Sequence, residues 1–478
     1  MKVKMDLKQH HITAKEDRLP FIQKAGYGIG AIVTIVAVNS LMQLTGLFYI
    51  DLLKISPILL GFAVAIPRLW DAITDPLVGN FSDNTRSRFG RRIPYILIGG
   101  ILVGITFAIL FMVPRDWSKD VIFAYFLVTS LIFYTAITIY AVPHGALGLE
   151  MTNDYHERTR IFAYASFIGN VGAIASPWLY YFAHRSVFKD AIEGMKWVCV
   201  GLGLILIISA IICAVTCKEH KLKQAKKQKR VKFWESFKIT CKNRTFMMLV
   251  VVFVLVITGF QFVMGFSNFI MMYYVYSGDK AAASGMMGWM GTIWAVTGII
   301  GIFPMIWISS SLGKTNTVIF SFAIITVGQL LKIVCYNQTY PWLAIIPTIL
   351  LSWGMVMCFT LVNAMNADIC DEDELITGKR REGSYYAVYG WWWKVAVSIA
   401  CVISGYLLKV TGYNADFAQQ TDSTMFWLRF CEIGLPAALC VVAIVILTRY
   451  PLTENRAYEI KDLLAKRRLA AVGEEKRI

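Results

Sequence analysis

Charged residues are scarce in this sequence. Asp, Glu, Lys and Arg make up 16% of its 478 residues, whereas soluble chains carry about 25%. Hydrophobic residues make up 57% and occur in repeated runs of about 20 residues, the length that crosses a bilayer. These runs are continuous rather than alternating, which excludes an outer-membrane β-barrel. The composition therefore predicts an all-α integral membrane protein.

Histidines and paired cysteines are also few. The chain has six histidines, and its ten cysteines show neither CxxC nor CxxxH spacing, which indicates reduced, buried and structural thiols. A membrane-embedded enzyme would need a nucleophile with a base, or a set of metal ligands. We therefore expect no enzyme activity and no cofactor. Residues 1–24 lack an apolar h-region, so we expect no cleaved signal peptide.

Positive charge is the exception, since the net charge is +16. The basic residues concentrate at the two termini and in alternate loops, as the positive-inside rule predicts for cytoplasmic segments. The basic run 218–233 is then a cytoplasmic loop that contacts anionic membrane lipid, and we expect no nucleic acid partner. The charge pattern predicts a multi-pass protein of the inner (plasma) membrane with both termini cytoplasmic.

The apolar runs predict twelve transmembrane helices, at 25–49, 57–81, 93–114, 121–148, 159–183, 196–217, 246–275, 283–310, 317–336, 341–369, 384–412 and 424–448. Similar turns follow the second and eighth spans, Gly90-Arg91 and Gly313-Lys314. This echo indicates a six-plus-six repeat, with the substrate site between the halves near the midplane.

The basic stretch after the sixth span sets the predicted boundaries of the domains. They are an N-terminal six-helix half (1–217), a basic cytoplasmic loop (218–245), a C-terminal six-helix half (246–449) and a cytoplasmic tail (450–478).

Two aspartates, Asp71 and Asp75, lie in the second span. An ionised carboxylate there costs about 3 kcal/mol on insertion scales, and the i, i+4 spacing puts the two side chains about 5–6 Å apart on one helix face. Na⁺ is bound by several oxygens, and close carboxylates also favour a shared proton. The pair predicts a cation site for Na⁺ or H⁺, with both residues as metal ligands if the ion is sodium. A structural pairing with Arg68 is the alternative.

The sequence around this pair, WDAITDPLVGNFSDNTRSRFGRRIPY (70–95), closely resembles the signature of the glycoside–pentoside–hexuronide:cation symporters. This branch of the major facilitator superfamily includes the melibiose permeases. Three further segments are similar to family motifs: YGIG (27–30), VPHGALGLEMTNDYHERTR (142–160) and DEDELITGKRREGSYYAVYGWWWK (371–394). The resemblance covers both halves of the chain and implies the twelve-helix major facilitator fold.

The resemblance also implies residue roles. Asp71 and Asp75 match the cation-site carboxylates of helix two, Lys394 matches the helix-eleven lysine that couples cation to sugar, and Arg68 matches a family arginine one turn before Asp71. The chain departs from the melibiose permeases at their sugar-binding positions, which here are Thr34, Ile35, Ala141, Gly145, and Ala165 or Ser166. The cation machinery is thus kept, and a different substrate is implied.

Polar and aromatic side chains within the spans are candidate substrate ligands: Asn39, Gln43, His144, Asn268, Tyr389 and Trp391. Such groups either join helices or line a cavity, so packing is the alternative for each. Lys394 lies too deep in its span to snorkel. It is expected to pair with the aspartates or to contact an anionic substrate.

Loop charges near the predicted cytoplasmic face are expected to hold that side shut by pairing across the halves. They are Asp83, Arg88, Arg91 and Arg92 from the N-terminal half, and Asp371, Arg380 and Arg381 from the C-terminal half. A plain solvated loop is the alternative.

The sequence thus predicts a monomeric secondary transporter that couples Na⁺ or H⁺ entry to uptake of a glycoside, oligosaccharide or sugar acid by alternating access. A carrier of amphipathic lipids such as lysophospholipids is the main alternative. A membrane-embedded enzyme and a sensor without flux are less favoured by these residues.

Overall fold

The computed structural model describes residues 18–152, 154–217, 240–378, 381–417 and 419–475, and within these ranges the chain is helical without strands. The N-terminal half contains α1 (Phe21–Thr45), α2 (Pro57–Asn84), α3 (Ile93–Leu110), α4 (Lys119–Glu150), α5 (Tyr155–Ala173), α6 (Trp178–Ala183) and α7 (Ala191–Thr216). The C-terminal half contains α8 (Arg244–Ile270), α9 (Lys280–Leu312), α10 (Lys314–Cys335), α11 (Ile345–Thr377), α12 (Glu382–Val410), α13 (Asp422–Leu447) and α14 (Glu454–Glu475). One π-helical turn, Gly46–Leu52, extends α1, and another, Met271–Val275, extends α8.

Eleven of the described helical segments are long and apolar enough to cross a membrane. The predicted fifth span, 159–183, is instead divided between α5 and α6. Pro177 has no N–H to donate, and the preceding turn is held by i→i+3 bonds such as Ala175 N to Gly172 O, 3.1 Å. Eleven of the twelve expected crossings therefore correspond to continuous apolar segments among the described residues, and the twelfth, which falls on α5 and α6, stays a prediction.

Polar residues at the helix ends fix where several of these apolar helices begin. Side chains of Asp154, Asp190, Asn243 and Asp279 accept hydrogen bonds from backbone N–H groups in the first turns of α5, α7, α8 and α9, at 2.7–3.0 Å. Such caps satisfy N–H groups that have no partner inside the helix. Gly378, with φ +69°, ends α11 in the left-handed conformation that glycine adopts readily.

The helices define two ends of the bundle. The terminal face carries the starts of α1 and α8, and there Lys24 contacts Glu157 at 2.8 Å. The opposite face carries the π-helical extension of α1 and the start of α9, where Asp51 contacts Lys280 at 2.7 Å. Within the tail predicted at 450–478, residues Glu454–Glu475 form α14, whose Ile460 and Leu464 pack into the core of the C-terminal half.

The two halves meet closely where α2 crosses α12. A Cβ at Gly405 would lie 2.3 Å from the carbonyl oxygen of Pro57, and one at Gly61 would lie 2.8 Å from that of Cys401. Ser398 Oγ also donates to the Ala65 carbonyl at 3.3 Å. Small side chains let membrane helices approach in this way. The close crossing brings the polar residues of α12 against those of α2.

Candidate functional site

Lys394 of α12 lies between the two aspartates of α2. Its Nζ is 3.0 Å from an oxygen of Asp71 and 2.6 Å from one of Asp75. The Asp71 side chain is 12% exposed and that of Asp75 is 38% exposed, so Asp71 is the less hydrated of the two carboxylates. The ion pair joins the N-terminal half to the C-terminal half through three charged groups.

Two threonines complete the oxygen set around Asp71. Thr138 of α4 donates to Asp71 Oδ1 at 2.7 Å, and the hydroxyls of Thr138 and Thr74 are 3.2 Å apart. Sequence reasoning missed both, because a threonine in a membrane helix ordinarily bonds its own backbone. Two carboxylates and one ammonium leave a formal charge of −1, which one more monovalent cation would neutralise.

Arg68 lies one turn before Asp71, with its guanidinium 4.9 Å from the ring centroid of Tyr134. Its Nε is buried and has no hydrogen-bond partner among the described residues. The arginine also lines the cavity between the halves. The alternative stated for the aspartates, a structural pairing with Arg68, is not among the described contacts, where Arg68 contacts an aromatic ring at the cavity edge.

The cavity between the halves has a volume of about 630 Å³. Its walls are largely apolar, with methionine and aromatic side chains such as Met290, Trp294 and Phe359. The polar lining includes five amide side chains: Asn39, Gln43, Asn170, Gln261 and Asn268. Amides donate and accept hydrogen bonds, so the walls present both an apolar surface and polar groups for a ligand.

The predicted substrate ligands fall into two groups. Asn39, Gln43 and Asn268 line this cavity, and Trp393 lines it from α12. Neither Trp391 nor Tyr389 is among the lining residues: Trp391 packs edge-on against Trp392, and Tyr389 is buried against Phe253. Sequence periodicity could not tell which of the three consecutive tryptophans faces inward.

His144 lies in the core of the N-terminal half. Its ring is stacked on Tyr27 at 4.3 Å, and its Nε2 is 3.1 Å from the Tyr27 carbonyl oxygen. The side chain is 6% exposed and is not among the cavity-lining residues. This geometry is that of a packed, hydrogen-bonded histidine, the alternative stated for it above.

A buried aspartate that the sequence reasoning did not select joins the two halves at the opposite face. Asp51 is fully buried and binds Lys280 at 2.7 Å. It also accepts hydrogen bonds from the hydroxyls of Tyr180, Tyr273 and Tyr413. Asp51 and Tyr180 belong to the N-terminal half and the other three residues to the C-terminal half, so this cluster closes the opposite face.

Three of the predicted gating charges of the N-terminal half, Asp83, Arg91 and Arg92, form ion pairs within that half. Arg92 donates to Ser82 at 2.7 Å and to Glu150 at 3.0 Å, and it also binds Asp83. Arg91 lies 3.0 Å from Glu150. Burial lowers the pKa of Arg92, but hydrogen bonds and Coulomb attraction to Glu150 and Asp83 outweigh it, so the pKa lies above its usual value.

Of the remaining predicted gating residues, the structure describes three: Arg88, Asp371 and Arg381. Arg88 stacks on the ring of Phe89 at 4.7 Å, and Arg381 binds Asp373 within the C-terminal half at 2.7 Å. Asp371 lies in the last turns of α11, while Arg380 is outside the described residues. The ion pairs described for Arg92 and Arg381 therefore lie within one half and do not cross between the halves.

Comparison with known proteins places this architecture in a family. The family model described as MFS/sugar transport protein matches residues 26–454. The chain is 26% identical to the uncharacterized symporter YnaJ of Bacillus subtilis (strain 168), over 92% of this chain and 93% of that protein. It is 24% identical to the glucuronide carrier protein homolog of Escherichia coli (strain K12), over 91% and 93%.

A relative with a lipid substrate in its name is also similar. The chain is 22% identical to the sodium-dependent lysophosphatidylcholine symporter 1-A of Danio rerio, over 87% of this chain and 83% of that protein. Among solved structures, the nucleoside transporter NupG superposes with a TM-score of 0.66 at 14% identity, over 89% of this chain and 98% of that one.

The structural likeness shows the fold, with eleven described segments long and apolar enough to cross a membrane. With the family model, this fold defines a multi-pass membrane transporter of the major facilitator type and not an enzyme. The chain belongs to the MFS/sugar transport protein family.

Proposed function

We propose that the protein is a cation-coupled symporter of a glycoside, oligosaccharide or sugar acid, with Asp71 and Asp75 as the cation site and Lys394 as the coupling residue. The observation that carries the proposal is the ammonium of Lys394 held between both carboxylates across the interface of the halves. The family membership and the cavity beside this site support it.

The coupling follows from the charge of the three groups. A cation at the aspartates lowers their attraction for Lys394 and so weakens the link between α2 and α12. Binding that changes the relative stability of two conformations shifts the population between them. Substrate in the adjoining cavity and cation at the aspartates would thus favour the same conformation, which is the coupling between their affinities.

The coupling ion is Na⁺ or H⁺. For Na⁺, the ligands would be oxygens of Asp71 and Asp75 with the hydroxyls of Thr138 and Thr74, a hard-oxygen set of the kind such cations prefer. For H⁺, one carboxylate would take the proton, since the single ammonium of Lys394 balances only one of the two close carboxylates.

The cavity volume of about 630 Å³ lies within the range of about 300–1,000 Å³ for small-molecule sites. Asn39 and Gln43 from α1 and Asn268 from α8 would bind sugar hydroxyls, and Trp393 would contact an apolar ring face. This assignment places substrate contacts on both halves, as rocking of one half against the other requires.

The same proposal covers membrane placement. The two halves, 1–217 and 246–449, would rock as units, with the loop 218–245 and the tail 450–478 on the cytoplasmic side of the inner (plasma) membrane. The terminal face is then cytoplasmic and the Asp51 cluster closes the external face, which makes this an inward-facing state. One chain contains both halves and the cavity, so a monomer suffices.

A thermal-shift screen of purified protein tests the proposal. Neutral glycosides, uronic acids and lysophosphatidylcholine are each added with and without Na⁺, at mildly acidic and mildly alkaline pH. We expect a sugar to stabilise the wild type only with the coupling ion, and Asp75→Asn to lose that ion dependence. Asp116→Asn, an exposed loop aspartate, is the matched control. Stabilisation of the wild type by a sugar that depends on neither Na⁺ nor pH, or an ion dependence that is unchanged in Asp75→Asn, would contradict the proposal.

A carrier of lysophospholipids is the second candidate. The apolar walls of the cavity, with Met290, Trp294 and Phe359, favour it, as does similarity to the symporter of Danio rerio named above. In the same screen, a shift with lysophosphatidylcholine and with no sugar would support this candidate over the first.

A further inference from the structure

A buried ion pair outside the cation site joins α10 to α13. Lys332 Nζ donates to Glu432 Oε1, and the two side chains are 3% and 0% exposed. The hydroxyl of Tyr336 donates to the same oxygen at 3.0 Å. Desolvation of two charges offsets most of their attraction, so stability alone does not account for the pair. An ionisable group inside a membrane protein is a functional hypothesis by default.

The pair has unused hydrogen-bonding capacity. Glu432 Oε2 is buried and has no partner among the described residues, and the same holds for Oε1 of Gln329, one turn before Lys332. Both atoms are acceptors. A buried acceptor without a donor is costly, so this place is suited to take up a proton or a ligand hydroxyl.

Lys332 also faces the transport cavity. It is one of the residues that line the cavity, together with Arg68, and the described lining includes no Asp or Glu. Glu432, the carboxylate that neutralises Lys332, is not among the lining residues. A ligand with an anionic group would therefore find two cationic side chains and no acidic one on the walls.

Other polar groups lie near the pair on α8 and α13. From α8, Ser267 lies 3.4 Å from the Tyr336 hydroxyl. On α13 itself, Arg429 donates to the Ile333 carbonyl at 3.0 Å and lies 4.3 Å from the ring of Tyr274. Arg429 is thus held by other partners, and Lys332 is the cation that binds the Glu432 carboxylate.

We infer that Lys332 and Glu432 form a proton-linked subsite for the carboxylate of an acidic sugar. The substrate carboxylate takes the place of Glu432 at the Lys332 ammonium, and Glu432 binds one proton from the aqueous cavity. The buried charge is zero before and after this exchange, because the incoming anion and the incoming proton balance. The inference rests on the proposed sugar transport. It names acidic sugars as the substrate class, recognised by Lys332 and Glu432 of the C-terminal half.

Two probes that differ in one group test the subsite. The probes are p-nitrophenyl β-D-glucuronide and its neutral counterpart, p-nitrophenyl β-D-glucoside, with binding measured by calorimetry on the purified full chain at mildly acidic and mildly alkaline pH. We expect the wild type to bind the glucuronide more tightly at acidic pH, with uptake of about one proton per ligand, measured from the buffer dependence of the heat. Glucoside binding should not depend on Glu432.

The variants separate the roles of the two side chains. Glu432→Gln, which imitates the protonated acid, should bind the glucuronide equally at both pH values and take up no proton there. Lys332→Met with Glu432→Gln, which leaves no unpaired charge, should lose about tenfold in glucuronide affinity and keep glucoside affinity. Lys409→Met, at an exposed lysine of α12, is the control.

The outcomes distinguish this inference from the proposed function. If the double variant keeps the wild-type ratio of glucuronide to glucoside affinity, or Glu432→Gln keeps the proton uptake, the subsite is wrong while sugar binding stands. If the wild type binds neither probe nor any sugar in the thermal-shift screen, the sugar assignment fails and the subsite fails with it.

Discussion

Asp71 and Asp75 differ in their surroundings although they share a helix face. Asp71 accepts from Thr138 and contacts Lys394, and Asp75 contacts Lys394 in a more hydrated place. A less hydrated carboxylate depends more on its protein partners for charge stabilisation. Asp71 is thus suited to fixing the position of a cation, and Asp75 to exchanging with the aqueous cavity.

Replacing Thr138 with valine tests the oxygen set at the residue scale. Thr138→Val keeps the shape and removes the hydroxyl that donates to Asp71. A lost hydrogen bond to a charged group is worth about 1.5–3 kcal/mol, so we expect the affinity for the coupling cation to fall by about tenfold or more. Cation titration of the thermal shift at saturating sugar measures it.

The matched control is Thr129→Val in the same helix. The Thr129 hydroxyl donates only to carbonyls of its own helix among the described contacts, so its removal should leave the cation affinity unchanged. Equal effects of the two substitutions would show that Thr138 acts through the helix and not through the cation site.

The sequence predicted some of these residues and missed others for physical reasons. Asp71, Asp75 and Lys394 stand out because charge in an apolar span is costly. Thr138 does not stand out in the sequence, since a hydroxyl in a membrane helix costs little free energy and is common. Asp51 was passed over because it lies at the end of a span, where carboxylates are ordinary. Its burial arises from four residues that only the fold brings together.

At the element scale, the crossing of α2 and α12 sets the geometry of the site. The crossing depends on Gly61 and Gly405, which allow backbone contact. The spans themselves were predictable from apolar length. The division of the fifth span at Pro177 was not, because a proline alone does not decide a break: Pro143 and Pro304 lie inside continuous helices.

The substitution Gly405→Ala should separate these two helices. Its Cβ would lie 2.3 Å from the Pro57 carbonyl oxygen, and overpacking of this kind costs about 1–3 kcal/mol. We expect a lower melting temperature and slower cation-driven sugar uptake, since Lys394 would be displaced from the aspartates. Gly390→Ala in the same helix adds a Cβ that meets no atom within 4 Å. This variant should keep the wild-type melting temperature and the wild-type rate of uptake. Unchanged uptake in Gly405→Ala would argue against this role for the crossing.

At the scale of the whole molecule, Asp51 holds the halves together at the opposite face. The variant Asp51→Asn with Lys280→Met removes the cross-half ion pair without leaving an unpaired charge. We expect faster hydrogen–deuterium exchange at Gly46–Leu52 and Met271–Val275, because this face would open more often. Mass spectrometry of the exchanged peptides measures it.

The control for this prediction lies on the same face. Asp190→Asn breaks an exposed ion pair with Arg115 inside the N-terminal half, and exposed pairs contribute little to stability. Exchange at the two π-helical segments should stay at the wild-type rate in this variant. If the Asp51 variant also exchanges at the wild-type rate, the cluster does not close this face.

The central claim is that the Asp71–Asp75–Lys394 group couples cation entry to sugar movement. The most direct test compares gradient-driven accumulation with equilibrium exchange of the same sugar in proteoliposomes, for wild type, Asp75→Asn and Asp116→Asn. We predict that Asp75→Asn exchanges sugar across the membrane but no longer accumulates it in response to a Na⁺ or H⁺ gradient, whereas Asp116→Asn does both. Wild-type accumulation by Asp75→Asn would contradict the claim.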